Sequence, residues 1–99
     1  MHDMKKLDNL KQLDKGAPEA MKAFWAFDKA AFAEGALSGQ VKQLIAIGVA
    51  LTTQCPYCIE IHTKAARDAG ATDAMLAEAT LVAAAIRAGG AVTHGTHCF

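Results

Sequence analysis

The segment Gly39–Thr53 limits the fold more than any other part of the chain. Val41, Leu44, Ile45, Ile47, Val49 and Leu51 put apolar side chains on almost every face of a helix after Gln43. A helix apolar all round must be covered all round, at the centre of a bundle or between subunits. Ser38 stands where such a helix needs its N-cap. Gln43, Ile47, Ala50 and Gln54 fall on one stripe at helical spacing, and that stripe ends beside Cys55. No period-2 alternation accompanies it anywhere in the sequence, so the spacing predicts helices throughout.

The flanking segments follow the same pattern. Met4–Lys15 is a weak amphipathic helix on Leu7, Leu10 and Leu13, broken by Gly16-Ala17. Pro18 suits a first helical turn and opens a helix to Glu34. That helix carries Met21, Phe24, Trp25, Phe27 and Phe32; these aromatics are expected in the core, the alternative being that they wall the thiol pocket if the helix packs over the motif. Gly35 is its expected stop. A further helix spans Pro56–Ala69 and ends at Gly70. Thr72 caps a last one, Asp73–Ala88, which Gly89-Gly90 should stop, leaving Ala91–Phe99 as a tail of undecided structure. The expectation is an all-α compact bundle of five to six helices, with residues 1–99 as a single domain.

Composition enters through area. The chain is 53% hydrophobic but only 6% aromatic, over 99 residues. That is more small apolar surface than a lone domain this short can hide, so a homo-oligomer is expected. Lys+Arg and Asp+Glu both number 10, and no basic stripe appears, which speaks against nucleic acid as a partner. The apolar run Leu44–Leu51 is far short of the roughly 20 residues that span a bilayer, so no membrane is expected. The first residues are charged and resemble no signal peptide, giving an expected cytoplasmic location.

The chemistry sits in Cys55-Pro56-Tyr57-Cys58-Ile59-Glu60-Ile61-His62. Cys55 and Cys58 are three apart, within one helical turn, and His62 lies one turn beyond Cys58. Cys55 at the helix N-terminus faces free backbone N–H groups, which favour its thiolate. His62 can take a proton from Cys58 or stabilise its charge. The histidine makes Cys58 the expected lower-pKa thiol. Such vicinal thiols can cycle between dithiol and disulfide. A zinc site is the rival reading: both cysteines and His62, with a fourth ligand from His94, His97 or Cys98. Metal sites of that kind usually hold loops rather than open a long helix, so no metal and no tightly bound cofactor are expected. Glu60 lies about 200° from Cys58 and His62 on a helix and should face elsewhere. His2 reads as an exposed terminal residue.

Together, Leu37-Ser38, Lys42-Gln43-Leu44-Ile45-Ala46, the Cys-Pro-Tyr-Cys motif with His62-Thr63, Ala66 and Gly70-Ala71-Thr72 resemble the carboxymuconolactone decarboxylase family, in its alkylhydroperoxidase AhpD-like branch. The resemblance covers roughly residues 18 to 90. It implies an all-α fold assembled as trimers or hexamers, and a thiol-dependent hydroperoxide reductase. Cys58 would attack the peroxide, Cys55 would resolve the sulfenate as a disulfide, and a lipoyl protein or similar dithiol donor would reduce it. The decarboxylase members lack the cysteine pair. A decarboxylase and a non-catalytic redox-sensing oligomer are the alternatives. Two positions depart from the AhpD pattern. A relay glutamate is replaced by Gln43, which can hydrogen-bond an imidazole but cannot take up a proton. A histidine before the second cysteine is replaced by Tyr57.

Overall fold

The computed structural model describes residues 2–99. Its α-helices are α1 (Leu10–Gly16), α2 (Pro18–Phe32), α3 (Gly39–Thr53), α4 (Pro56–Asp68) and α5 (Asp73–Gly95), with short 3₁₀ turns at Met4–Asn9 and Thr96–Cys98. No strand occurs among the described residues. The all-α expectation holds, and α3 is the hub that packs on both α4 and α5.

Local chemistry sets the boundaries. Ser38 Oγ accepts from the Val41 N–H at 3.2 Å and starts α3. Gln54 ends it in the left-handed region, at φ 58°. Cys55 then N-caps α4 with its own sulfur, and Pro56 fills the first turn. Gly70 takes φ +95°, which a Cβ would oppose, and turns the chain after α4. Thr72 Oγ1 accepts from the Met75 N–H at 3.2 Å and starts α5. The Gln40 side-chain amide donates to the Ala69 carbonyl at 2.8 Å, tying the start of α3 to the end of α4.

Three expectations fail. The first 12-residue helix divides into a 3₁₀ turn and α1. Gly89-Gly90 does not stop α5, which runs through to Gly95. Neither glycine has a positive φ, and no proline follows, so nothing compels a break; glycine only makes the helix weaker, by about 1 kcal/mol each. By length and composition alone, the run Asp73–Cys98 is consequently able to cross a membrane, a possibility hidden while the helix was expected to end at Ala88. The aromatic helix, finally, does not form the core. Phe27 is 71% exposed, and Phe24 and Trp25 more than 40%. The Trp25 indole N–H reaches back to Asp14 Oδ1 at 3.3 Å, joining α2 to α1 rather than to the bundle.

The core is instead built from small residues. Ile47, Ala50, Ala66 and Ala71 are the buried hydrophobics, with Leu44, Leu51, Met75 and Leu76 packed against Ile47, Ala66 and Ala71. Ala66 is fully buried, and its lack of bulk lets α4 lie close on α3. The outward faces stay apolar: Ile45, Val49, Leu81, Val82, Ile86 and Val92 are all more than half exposed. The radius of gyration is 16.4 Å, against about 13 Å for a compact chain of this length.

Candidate active site

The site runs along the α3–α4 contact, from the start of α4 to Gln43 in the first half of α3, with the end of α2 beside it. Cys55, expected at the N-cap, stands there: the Cys58 N–H donates to Cys55 Sγ at 3.3 Å. Both sulfurs are half-buried. Hydrogen bonding from the Cys58 side chain, helped by the Cys58 and Tyr57 backbone, holds the Cys55 thiol below its ordinary pKa. The same bond, from the donor's side, raises Cys58, and partial burial and the charge on Cys55 raise it further. This reverses the expectation that His62 would make Cys58 the more acidic thiol. The helix N-terminus and the Cys58 donors decide the pair; proximity of the histidine in sequence does not. Of the two thiols Cys55 is therefore the more acidic.

His62 comes from the next turn of α4. Its Nδ1 lies 2.7 Å from Gln43 Oε1 on α3. An amide oxygen can only accept, so Nδ1 carries a proton, and in the neutral ring Nε2 is left as the acceptor. Gln43 thus orients the ring as a carboxylate would, without its charge. On the face of the imidazole lies Phe32, the last residue of α2, with ring centroids 5.0 Å apart and planes 10° from parallel. Of the four residues chosen from the sequence, Cys55 thus meets Cys58 and Gln43 meets His62, and Cys58 and His62 lie one turn apart on α4. Phe32 belongs to the aromatic set expected in the core, and it takes the other reading open to that set, a wall beside the motif. Its place at the α2 terminus, shortly before the Ser38 cap, was the available signal.

The other candidates fall outside. Glu60 points away from the sulfurs, as its helical angle requires, and lies 3.9 Å from His2 Nε2. The His2 ring also meets the Tyr57 ring at 5.0 Å, so the terminal histidine, though exposed, has partners. His94 and His97 face each other at 5.7 Å on the far end of α5, and Cys98 there is exposed. Among the described residues no three His, Cys, Asp or Glu side chains gather to hold a metal.

This constellation can be set against known proteins. The model of the carboxymuconolactone decarboxylase family matches residues 18–99. The chain belongs to that family. Two solved structures share its fold. A carboxymuconolactone decarboxylase family protein from Legionella pneumophila, solved in its apo form, is 33% identical with a TM-score of 0.77, covering 83% of this chain and 73% of that one. A protein from Methanobacterium thermoautotrophicum is 36% identical with a TM-score of 0.81, covering 86% and 96%. Among curated relatives, an uncharacterized protein of the cox locus of Paracoccus denitrificans is 56% identical over 72 residues, which is 73% of this chain and 65% of that protein. An uncharacterized protein of Cupriavidus necator is 41% identical over 66 residues, 67% of this chain and 58% of its own length. The chain thus spans less than two thirds of the length of these curated relatives.

Proposed function

We propose that this family member is a thiol-dependent hydroperoxide reductase of the AhpD-like kind. The observation that supports it most is the Cys55–Cys58 pair at a helix N-terminus, where the Cys58 N–H donates to Cys55 Sγ, with an oriented imidazole one turn away. A decarboxylase has no evident use for that pair. In this reading the Cys58 thiol passes its proton to Cys55, or to Nε2 of His62, and becomes the thiolate. That thiolate attacks the hydroperoxide: an S–O bond forms, the O–O bond breaks, and the alkoxide leaves as alcohol after protonation from the Cys55–His62 side. Cys55 sulfur then attacks the Cys58 sulfenic acid, forming the disulfide and releasing water. Residues three apart on a helical turn lie within the Cα separation of about 4.4–6.8 Å that a disulfide spans. A dithiol donor of the lipoyl type restores both thiols by two exchange steps and leaves as its own disulfide.

The working form in this reading is a homo-oligomer, a trimer or a hexamer. The single chain exposes 7420 Å² for its 10.4 kDa, whereas a compact monomer of that mass exposes about 5,400 Å². The excess, on the order of 2,000 Å², is more than twice the roughly 800 Å² that one partner contributes to an ordinary interface. Two contacts per subunit, as a closed ring requires, would absorb it.

The function is tested in a Cys98→Ser background, so that only the motif thiols count. Hydroperoxide should consume two thiols per chain, and dihydrolipoamide should restore them over many turnovers. Cys58→Ser should abolish turnover entirely, while Cys55→Ser should leave a Cys58 sulfenate that dimedone traps. Thiols indifferent to hydroperoxide would overturn the proposal. Oxidation without donor-driven turnover would favour the redox-sensing alternative.

A further inference from the structure

We propose that Phe32 is a positioning residue for His62, fixing the plane of the imidazole so that the Gln43 bond can hold a single tautomer. The step toward the thiols rests on the function proposed above; the step about the ring does not. The argument begins with the freedom of a histidine side chain. Its terminal torsion is broad and roughly two-fold, so one hydrogen bond leaves the ring plane poorly set. Gln43 Oε1 fixes one point of the ring, Nδ1, at 2.7 Å. A ring held covalently at Cγ and pinned at Nδ1 can still tilt about the line through those atoms, and each tilt turns Nε2 away from whatever it serves. A flat neighbour removes that motion. Phe32 supplies one, 10° from parallel at 5.0 Å.

The two restraints come from different helices. Gln43 sits on α3 inside the packed part of the bundle, and Phe32 is the C-terminal residue of α2, which itself contributes no buried residue. The end of α2 is nonetheless tethered where it matters. The Lys42 ammonium donates to the Ala33 carbonyl, and the Gly39 N–H to Glu34 Oε1 at 3.4 Å. Both bonds secure the chain immediately after Phe32. The half-buried ring of Phe32 is thereby the point at which a loosely packed helix reaches the chemistry.

The test reads the ring directly. Imidazole ¹⁵N NMR of the reduced, full-length protein, assigned with His62→Gln, should show His62 with Nδ1 protonated and Nε2 bare. Phe32→Leu and the longer Phe32→Met, each checked for native helicity by circular dichroism, should both show a mixture of tautomers. Hydroperoxide kcat/KM should fall roughly tenfold or more, mostly in kcat, as expected when a proton-transfer group is misplaced. Phe32→Tyr should restore both the tautomer and the rate. Phe27→Leu, on the exposed side of the same helix, should change neither. If the folded Phe32→Met protein keeps the single Nδ1–H pattern, the positioning role is overturned, whatever the enzyme's activity. A wild-type enzyme without hydroperoxide turnover would instead remove the proposed function and leave the tautomer result to decide this one.

Discussion

The α3–α4 contact and the outward face of α5 are built from the same class of residue and used in opposite ways. Where α3 meets α4 and the turn after it, the side chains are mostly small, Ala50, Ala66 and Ala71 with Ile47, and all are buried. On α5 the side chains are larger, Leu81, Val82, Ile86 and Val92, and all lie about two thirds exposed or more. If burial alone chose sites, the larger groups would go inside, since each removes more apolar area from water. The difference teaches that the interior serves proximity. Close approach of α4 to α3 is what brings His62 within reach of Gln43, and bulk at Ala66 would separate them. The larger apolar groups remain outside, available for surfaces that another chain can cover.

The largest expected effect comes from breaking that outer face. Val82→Asp combined with Ile86→Asp places two charges in the apolar groove that Val41, Ile45 and Val49 share with α5. Sedimentation velocity at micromolar concentration should then move from an oligomer to a species of about 10.4 kDa with lowered thermal stability. If the parent chain already sediments as a stable, active monomer, the contrast between an inner and an outer face loses its meaning. The inner face breaks more modestly. Ala66→Leu adds bulk at a fully buried position and should cost about 1–3 kcal/mol, read as a lowered urea midpoint, with peroxide turnover falling further than stability alone explains. Tolerance of leucine there, with turnover intact, would show that proximity is not what the small residues secure.

Much of this arrangement was legible in the sequence because it is local. Caps announce themselves: Ser38, Pro56, Gly70 and Thr72 each act at the position their chemistry suggests. Gln43, Cys55, Cys58 and His62 could be chosen because helical spacing and family resemblance agreed on them. What failed depends on packing between distant segments. Gly89-Gly90 reads as a stop only if the chain has reason to turn there, and it has none. Phe24, Trp25 and Phe27 read as core by composition, yet one chain offers them too few neighbours. The acidity order of the thiols failed for another reason. It depends on which sulfur accepts the Cys58 hydrogen bonds, a matter of angstroms within one turn that spacing cannot resolve.

A smaller effect tests how far the amide at Gln43 substitutes for a carboxylate. Gln43→Glu would place a charged acceptor where Oε1 now meets Nδ1 at 2.7 Å, making that bond charge-assisted and His62 a stronger base. The gain should be about tenfold in hydroperoxide kcat/KM, a part of the roughly 10²–10⁴ that general base catalysis can supply. No gain between about pH 5 and 9 would mean that proton transfer through His62 does not limit the rate, since the imidazole would then have been strengthened to no purpose.

The finest test concerns the two sulfurs themselves, which differ by the direction of one hydrogen bond. Only the thiolate is alkylated, so labelling reports where the anion rests. The Cys58 side chain and N–H donate toward Cys55, which lowers the Cys55 pKa, while the side-chain bond, with burial and the Cys55 charge, raises that of Cys58. Limiting iodoacetamide should therefore modify Cys55 first, by a severalfold margin, when digests of a Cys98→Ser protein are mapped by mass spectrometry. The pH dependence follows from the signs. Cys55 labelling should rise at a pH below that of an ordinary thiol, about 8.5, and be lost only as pH falls through its depressed pKa. Cys58 labelling should rise above that value. Replacing Cys58 by alanine keeps the backbone donor and removes the side-chain one, so the Cys55 rise should move partway back toward the ordinary value. Labelling that begins at Cys58 would return the acidity to the histidine side of the pair and reverse the reading of the N-cap.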